Sequence, residues 1–193
     1  SQGWIGNIRK LVAARFWDGL SINRVQDNYV VQWGDASEQK PLPAGLTTVP
    51  ESGYRVIAPP DIRKQFEAVA NREDAALAAA MQIPAGPARV RAIRQAIARD
   101  PYSTETINYR SWPLARDSES YWPVHCYGMV GVGRNLSPDT GSGAELYTVI
   151  GHAPRHLDRN IALVGRVIEG IEHLSSLPRG TLALGFYEKP EQR

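Results

Sequence analysis

The chain has 193 residues, 42% of them hydrophobic and 22% charged, with a formal net charge of +2. Those values fit one soluble globular domain with a proper core, and the charge gives no reason to expect nucleic acid or a strongly acidic partner. Cys126 is the only cysteine, which excludes an internal disulfide or a cysteine metal cluster, and no run approaches the roughly 18 apolar residues of a membrane span.

The chain opens on Ser1-Gln2-Gly3, with no Met, basic region or apolar stretch. That reads as a processed or truncated product without a signal peptide. Residues 4–15 predict a helix: Trp4, Ile5, Ile8, Leu11 and Val12 form one stripe, with Arg9, Lys10 and Arg15 outward. Asp18-Gly19 marks a turn, and β-branched and aromatic residues on both sides of Gln26-Asp27-Asn28 predict a hairpin. Strict alternation puts Arg24 on a face with Ile22, and Gln32 on a face with Val30. Arg24 reads either as a surface cation or as part of a shallow groove that binds backbone groups.

Pro41, Pro43, Pro50, Pro59 and Pro60 punctuate a loop-rich stretch. Helical periodicity returns at 61–81, with Asp61 as N-cap, Ile62, Phe66, Val69 and Leu77 on one stripe, and a cluster of alanines. After the break at Pro84–Pro87, residues 88–99 predict a second helix with Val90, Ile93, Ala96 and Ile97 inward. Its Arg89, Arg91, Arg94 and Arg99 read as a solvated face. Residues 101–125 read as turns. Strand chemistry follows at 129–132, 145–150 and 161–168, then a short helix at 169–177 ended by Pro178 and a last strand at 181–187.

Other chemistries find little support. Pro154 separates His152 from His156, against a zinc-binding helix face. Ser142 between Gly141 and Gly143 lacks nucleophile-elbow spacing, and the glycines from 128 to 143 match neither phosphate-loop pattern. No cofactor and no metal is expected.

Ile22-Asn23-Arg24-Val25 and Gln32-Trp33-Gly34-Asp35 match, in order, the Phe-His-Arg-Val and Gln-Gly-Gly-Asp strands of a known family. Asp139–Tyr147, His156-Leu157-Asp158 and Val164–Gly170 then follow where that family has Gly-Ser-Gln-Phe-Phe-Ile, Trp-Leu-Asp-Gly and Phe-Gly-Arg-Val-Glu-Gly. Over about 4–35 and 126–178 the chain resembles the cyclophilin-type peptidyl-prolyl cis-trans isomerases. The resemblance implies a mainly β fold with helices, a cyclophilin-like antiparallel β-barrel. The chain is expected to be one such domain over 1–193, with a divergent insertion at 36–125, helical at 60–100, beside the barrel. The family's leading hairpin is absent, so an open barrel is expected.

The resemblance also implies an isomerase of X–Pro bonds in proline-containing peptides or unfolded protein clients, with no cofactor, nucleic acid or membrane. Arg24 takes the catalytic position. Gln32, Tyr29, Val30, Glu145, Leu146, Tyr147, His156 and Leu157 take substrate-binding ones. Glu145 replaces a Gln, Leu146 a Phe, His156 a Trp and Val30 a Met, while Tyr29 and Tyr147 replace phenylalanines and Ile161 stands near the family's His. The rival reading is a non-catalytic peptide-binding or chaperone module on the same fold. A single thiol in a bacterial-style chain suits periplasm or cytoplasm.

Overall fold

The computed structural model describes residues 2–97, 100–118 and 120–192. Its elements in chain order are helix α1 (Gln2–Ala13), strands β1 (Ser21–Val25), β2 (Val30–Gly34) and β3 (Val56–Ile57), helices α2 (Pro60–Gln82) and α3 (Pro87–Ala96), strands β4 (Glu105–Tyr109), β5 (Trp112–Asp117), β6 (Ser120–Pro123), β7 (Met129–Val132), β8 (Glu145–Val149) and β9 (Leu163–Arg166), and helix α4 (Ile171–Ser175). These fall into two compact units, residues 1–55 with 124–193, and residues 56–123.

The first unit is built on a five-stranded antiparallel sheet in the order β1-β2-β8-β7-β9. Among the described residues β1 and β9 do not pair, so the sheet is open, as expected. The outer edge of β1 is covered by the C-terminal segment: Gly180 N–H donates to Val25 O at 3.0 Å and Tyr187 N–H to Asn23 O at 3.0 Å. Edge donors and acceptors left bare invite pairing with other chains, and this return satisfies two of them.

Helix α1 lies against the sheet through a narrower stripe than the sequence suggested. Trp4 and Leu11 are buried and Ile8 packs with them, but Ile5 and Val12 are exposed. The buried position between Trp4 and Leu11 is polar Asn7, whose Nδ2 donates to Thr47 O at 2.7 Å while its Oδ1 accepts from Thr47 N at 3.0 Å. The helix stops where Arg15 turns left-handed at φ 50°, with Arg15 N–H bonding to Val12 O and Phe16 N–H to Leu11 O, the paired bonds of a Schellman ending.

Three predicted boundaries at the C-terminal end move. Strand β9 covers only 163–166, and Ile168 is exposed. The helix at 169–177 shortens to α4. Residues 181–187 are not a strand: a tight turn at Ala183–Gly185 interrupts them, and only Phe186 forms a bridge, with Arg24.

The second unit, residues 56–123, includes most of the stretch expected to be helical. Helix α2 starts on Pro60, with extended Pro59 as its cap, so Asp61 lies inside the first turn rather than at the cap. Proline at the first helical position has no N–H to leave unsatisfied, so the start falls there rather than at Asp61. Ile62 and Phe66 pack with Ala58 and Leu114. The expected inward face of α3 forms only in part: Ile93 and Ala96 are partly buried, Val90 and Ile97 are about half exposed, and no residue of α3 is fully buried. Arg99 lies outside the described residues. Residues 101–125, read as turns, hold most of a four-stranded antiparallel sheet in the order β3-β6-β5-β4. Pro113 and Pro123 suggested breaks, yet both sit within its ladders. Glu105 and Arg116 are direct cross-strand partners and form an ion pair.

Candidate functional site

Across the large sheet, Arg24, Gln32, Tyr147 and Gly131 are successive Cα partners on β1, β2, β8 and β7. Partners opposite each other in a ladder project from the same face, so these positions form one row. Simple alternation would not have put Arg24 in it. Ile22 pairs with Trp33 but Arg24 pairs with Gln32, which makes Asn23 the extra residue of a bulge. Arg24 therefore leaves the face of Ile22, which packs with Val25 and Val31 on the other side. The bulged Asn23 is itself buried, and its Nδ2 donates to Gly34 O at 3.0 Å.

Arg24, Gln32 and Tyr147 of this row line a groove of about 860 Å³. Its apolar floor is a cluster of Val30, Tyr147, Val149 and Leu157, with Tyr29 and Ile161 packed against it. Arg24 stands at one end. Its Nε donates to Leu184 O at 2.6 Å, its Nη1 to Gln32 Oε1 at 3.3 Å, and its Nη2 to Gln26 Oε1. Its Cζ lies 5.6 Å from the Tyr29 ring centroid and 5.5 Å from that of Phe186. Burial pulls the guanidinium pKa below its ordinary value, against the opposing pull of Tyr29 and Glu145; a guanidinium stays protonated all the same.

Under the floor runs a buried polar chain. Tyr147 has its hydroxyl 2.7 Å from His125 Nε2, and His125 Nδ1 lies 2.9 Å from Asp158 Oδ1. Asp158 also accepts from the His125 backbone N–H at 3.0 Å and from Arg155 Nε at 2.6 Å. A carboxylate only accepts, so Nδ1 carries the proton, Nε2 of the neutral ring accepts, and the Tyr147 hydroxyl donates. Burial keeps His125 neutral by lowering its pKa, against the raising effect of Asp158. Burial alone would raise the Asp158 carboxyl, but the His125 and Arg155 donors outweigh it and hold it below the usual range. The Tyr147 phenol is pushed well up, chiefly by burial.

Most of the predicted site residues meet here. Arg24, Tyr29, Val30, Gln32, Glu145, Tyr147 and Leu157 all line the groove. His156 is exposed at its rim, joined to it through Tyr29: their rings stack 5.9 Å apart, with the Tyr29 hydroxyl 3.1 Å from His156 Nε2. Leu146 does not join them. It pairs with Trp33 and Val132 on the opposite face and is buried with Trp4 beneath α1, because it alternates with Tyr147 along β8. Sequence reasoning missed Gly131, His125, Leu184 and Phe186. His125 and Asp158 lie 33 residues apart with no local motif to join them. Among the described residues, no three His, Cys, Asp or Glu side chains converge to hold a metal.

A profile of the family described as "Cyclophilin type peptidyl-prolyl cis-trans isomerase/CLD" matches residues 4–192. No curated protein matches the chain. Among solved structures, cyclophilin AquaCyp293 from Hirschia baltica superposes with a TM-score of 0.60 at 19% sequence identity. That match covers 96% of this chain and 61% of the other, and at such identity it is a likeness of fold.

Proposed function

The chain belongs to the cyclophilin-type peptidyl-prolyl cis-trans isomerase family, and on that premise we propose that it accelerates rotation about X–Pro bonds in proline-containing peptides or unfolded protein clients. Planarity of the peptide bond opposes that rotation with a barrier of about 18–20 kcal/mol. Twisting returns the lone pair to the proline nitrogen, so a donor aimed at that nitrogen favours the twisted state over the planar one. No covalent intermediate, metal or cofactor is required by this route.

The observation that carries the reading is the placement of Arg24. Among the described residues its contacts use three of the five guanidinium N–H groups, leaving one on each Nη. Gln32 spends its Oε1 on Arg24, so its NH2 remains for a substrate carbonyl. Val30, Tyr147, Leu157, Tyr29 and Ile161 offer apolar surface for the proline ring and for excluding water. His156 at the rim and Glu145 in the groove then meet the flanking residues of the peptide.

The test is cis/trans exchange of an Ala-Pro peptide by NMR, with wild type and Arg24→Ala. Removing one well-placed transition-state donor costs on the order of 10²–10³ in rate, so Arg24→Ala should lose at least about a hundredfold with its circular dichroism unchanged. Folded wild type that binds the peptide without accelerating exchange would instead make this a peptide-binding module.

A further inference from the structure

We infer that the C-terminal return, residues 181–187, belongs to the catalytic apparatus: Phe186 and the Leu184 carbonyl are positioning groups for the Arg24 guanidinium. The inference rests on the assignment of Arg24 to catalysis.

Two anchors hold the return to β1. One is Gly180 N–H on Val25 O; the other is Tyr187, buried, with its N–H on Asn23 O and its hydroxyl donating to Pro178 O at 2.7 Å. Between the anchors the chain leaves the strand edge and turns. Leu184 sits in this turn at φ 58°, a left-handed conformation that costs a leucine backbone energy. Its side chain does not explain that conformation, because it is 63% exposed. The carbonyl does, since it receives Arg24 Nε at 2.6 Å. Backbone strain persists where the surroundings hold it and tends to mark functional positions. The next residue must be glycine: at φ 79°, a Cβ on Gly185 would lie 2.6 Å from Gln26 Cα and 2.7 Å from Val25 O. That close approach lets Phe186 form a bridge with Arg24 and set its ring 5.5 Å from the guanidinium carbon.

These contacts divide the labour around one side chain. The Leu184 carbonyl fixes the Nε end, Gln26 and Gln32 take one N–H from each Nη, and the Phe186 and Tyr29 rings hold the guanidinium carbon. An arginine left to its own rotors would need ordering in every turnover, whereas a donor held in place beforehand does not. An alternative use of the same contact is an occluding strap over Arg24, whose removal would raise activity.

The deciding experiment takes the full chain through Phe186→Leu, Phe186→Tyr and Leu184→Pro, with Tyr187 untouched. Proline cannot adopt φ 58°, so Leu184→Pro withdraws the carbonyl from Arg24 at an exposed position. Two quantities are read: peptide exchange kinetics, and solvent exchange of the Arg24 Nε–H by NMR. A partly desolvated cation–aromatic contact predicts about tenfold slower catalysis in Phe186→Leu, with peptide affinity held within about twofold. Phe186→Tyr should stay near wild type, and Phe186→Leu in an Arg24→Ala background should add nothing. Leu184→Pro and Phe186→Leu should both speed Nε–H exchange several-fold. Unchanged Nε–H exchange in both variants overturns the inference, as does faster catalysis in either. Should wild type prove inactive, the isomerase reading falls on that result, while Nε–H exchange still decides whether the return holds Arg24.

Discussion

Gly131 is the position where one added methyl should disturb the site most. It occupies β7 beside Tyr147, and a Cβ there would lie 2.2 Å from Tyr147 Cζ, 2.2 Å from its hydroxyl oxygen and 2.6 Å from Cε1. Carbon atoms pack at about 3.5–4.0 Å, so the ring must retreat by more than 1 Å. It has nowhere easy to go, being 4% exposed with its hydroxyl 2.7 Å from His125. A retreat of that size breaks this buried hydrogen bond, at about 1–3 kcal/mol, and adds overpacking of about 1–3 kcal/mol. The alanine recovers up to about 1 kcal/mol by restricting the unfolded chain, since Gly131 does not need a positive φ. Gly131→Ala should therefore lose about 1–6 kcal/mol in urea unfolding with an unchanged m-value. A cycle with Tyr147→Leu checks the cause, because the shorter side chain makes room for the methyl and the two losses should fall short of additive. A loss under about 0.5 kcal/mol, or strict additivity, would refute the reasoning.

The buried histidine predicts an acid sensitivity with a definite sign. In the unfolded chain His125 takes its proton near pH 6.5, whereas burial delays that in the fold; below pH 6.5 the unfolded state thus binds more protons and stability falls as pH falls. His125→Gln should flatten the urea midpoint between pH 7 and pH 5, and an unchanged slope would contradict this. Asp158, depressed from 3.8, adds a further loss only below that pH. Glu145 brings a carboxylate to the groove whose hydrogen bond among the described residues is a long one, from Asn23 Nδ2 at 3.5 Å. Peptides with Lys beside the proline should be preferred over those with Glu, and Glu145→Gln should shrink that preference by about twofold to fivefold, the scale of an exposed ion pair. A preference that Glu145→Gln leaves intact would place discrimination elsewhere.

The chain shows which parts of such a site are local in sequence. The Arg24 and Gln32 strands were legible because residue type and turn chemistry act over a few positions, and the open sheet followed from which strands were present. What failed were consequences of register and return. Strict alternation put Arg24 beside Ile22, and only the bulge at Asn23, fixed by the Gly34 carbonyl across the ladder, turns it to the groove. Leu146 was assigned to the groove because it stands where the family has a Phe, although adjacent strand residues face opposite ways and Tyr147 takes the groove side. The strands at 105–123 were hidden by prolines that the ladder accommodates. Gly131 drew no notice within the short strand at 129–132, because an aromatic ring crossing from another strand leaves no trace in its own neighbourhood. Residues 181–187 had enough β-branched and apolar character to suggest a strand, yet the left-handed Leu184 breaks it and delivers a carbonyl to an arginine 160 residues earlier. Local pattern thus named the donor, while its orientation depends on a bulge and a returning segment that only the folded chain brings together.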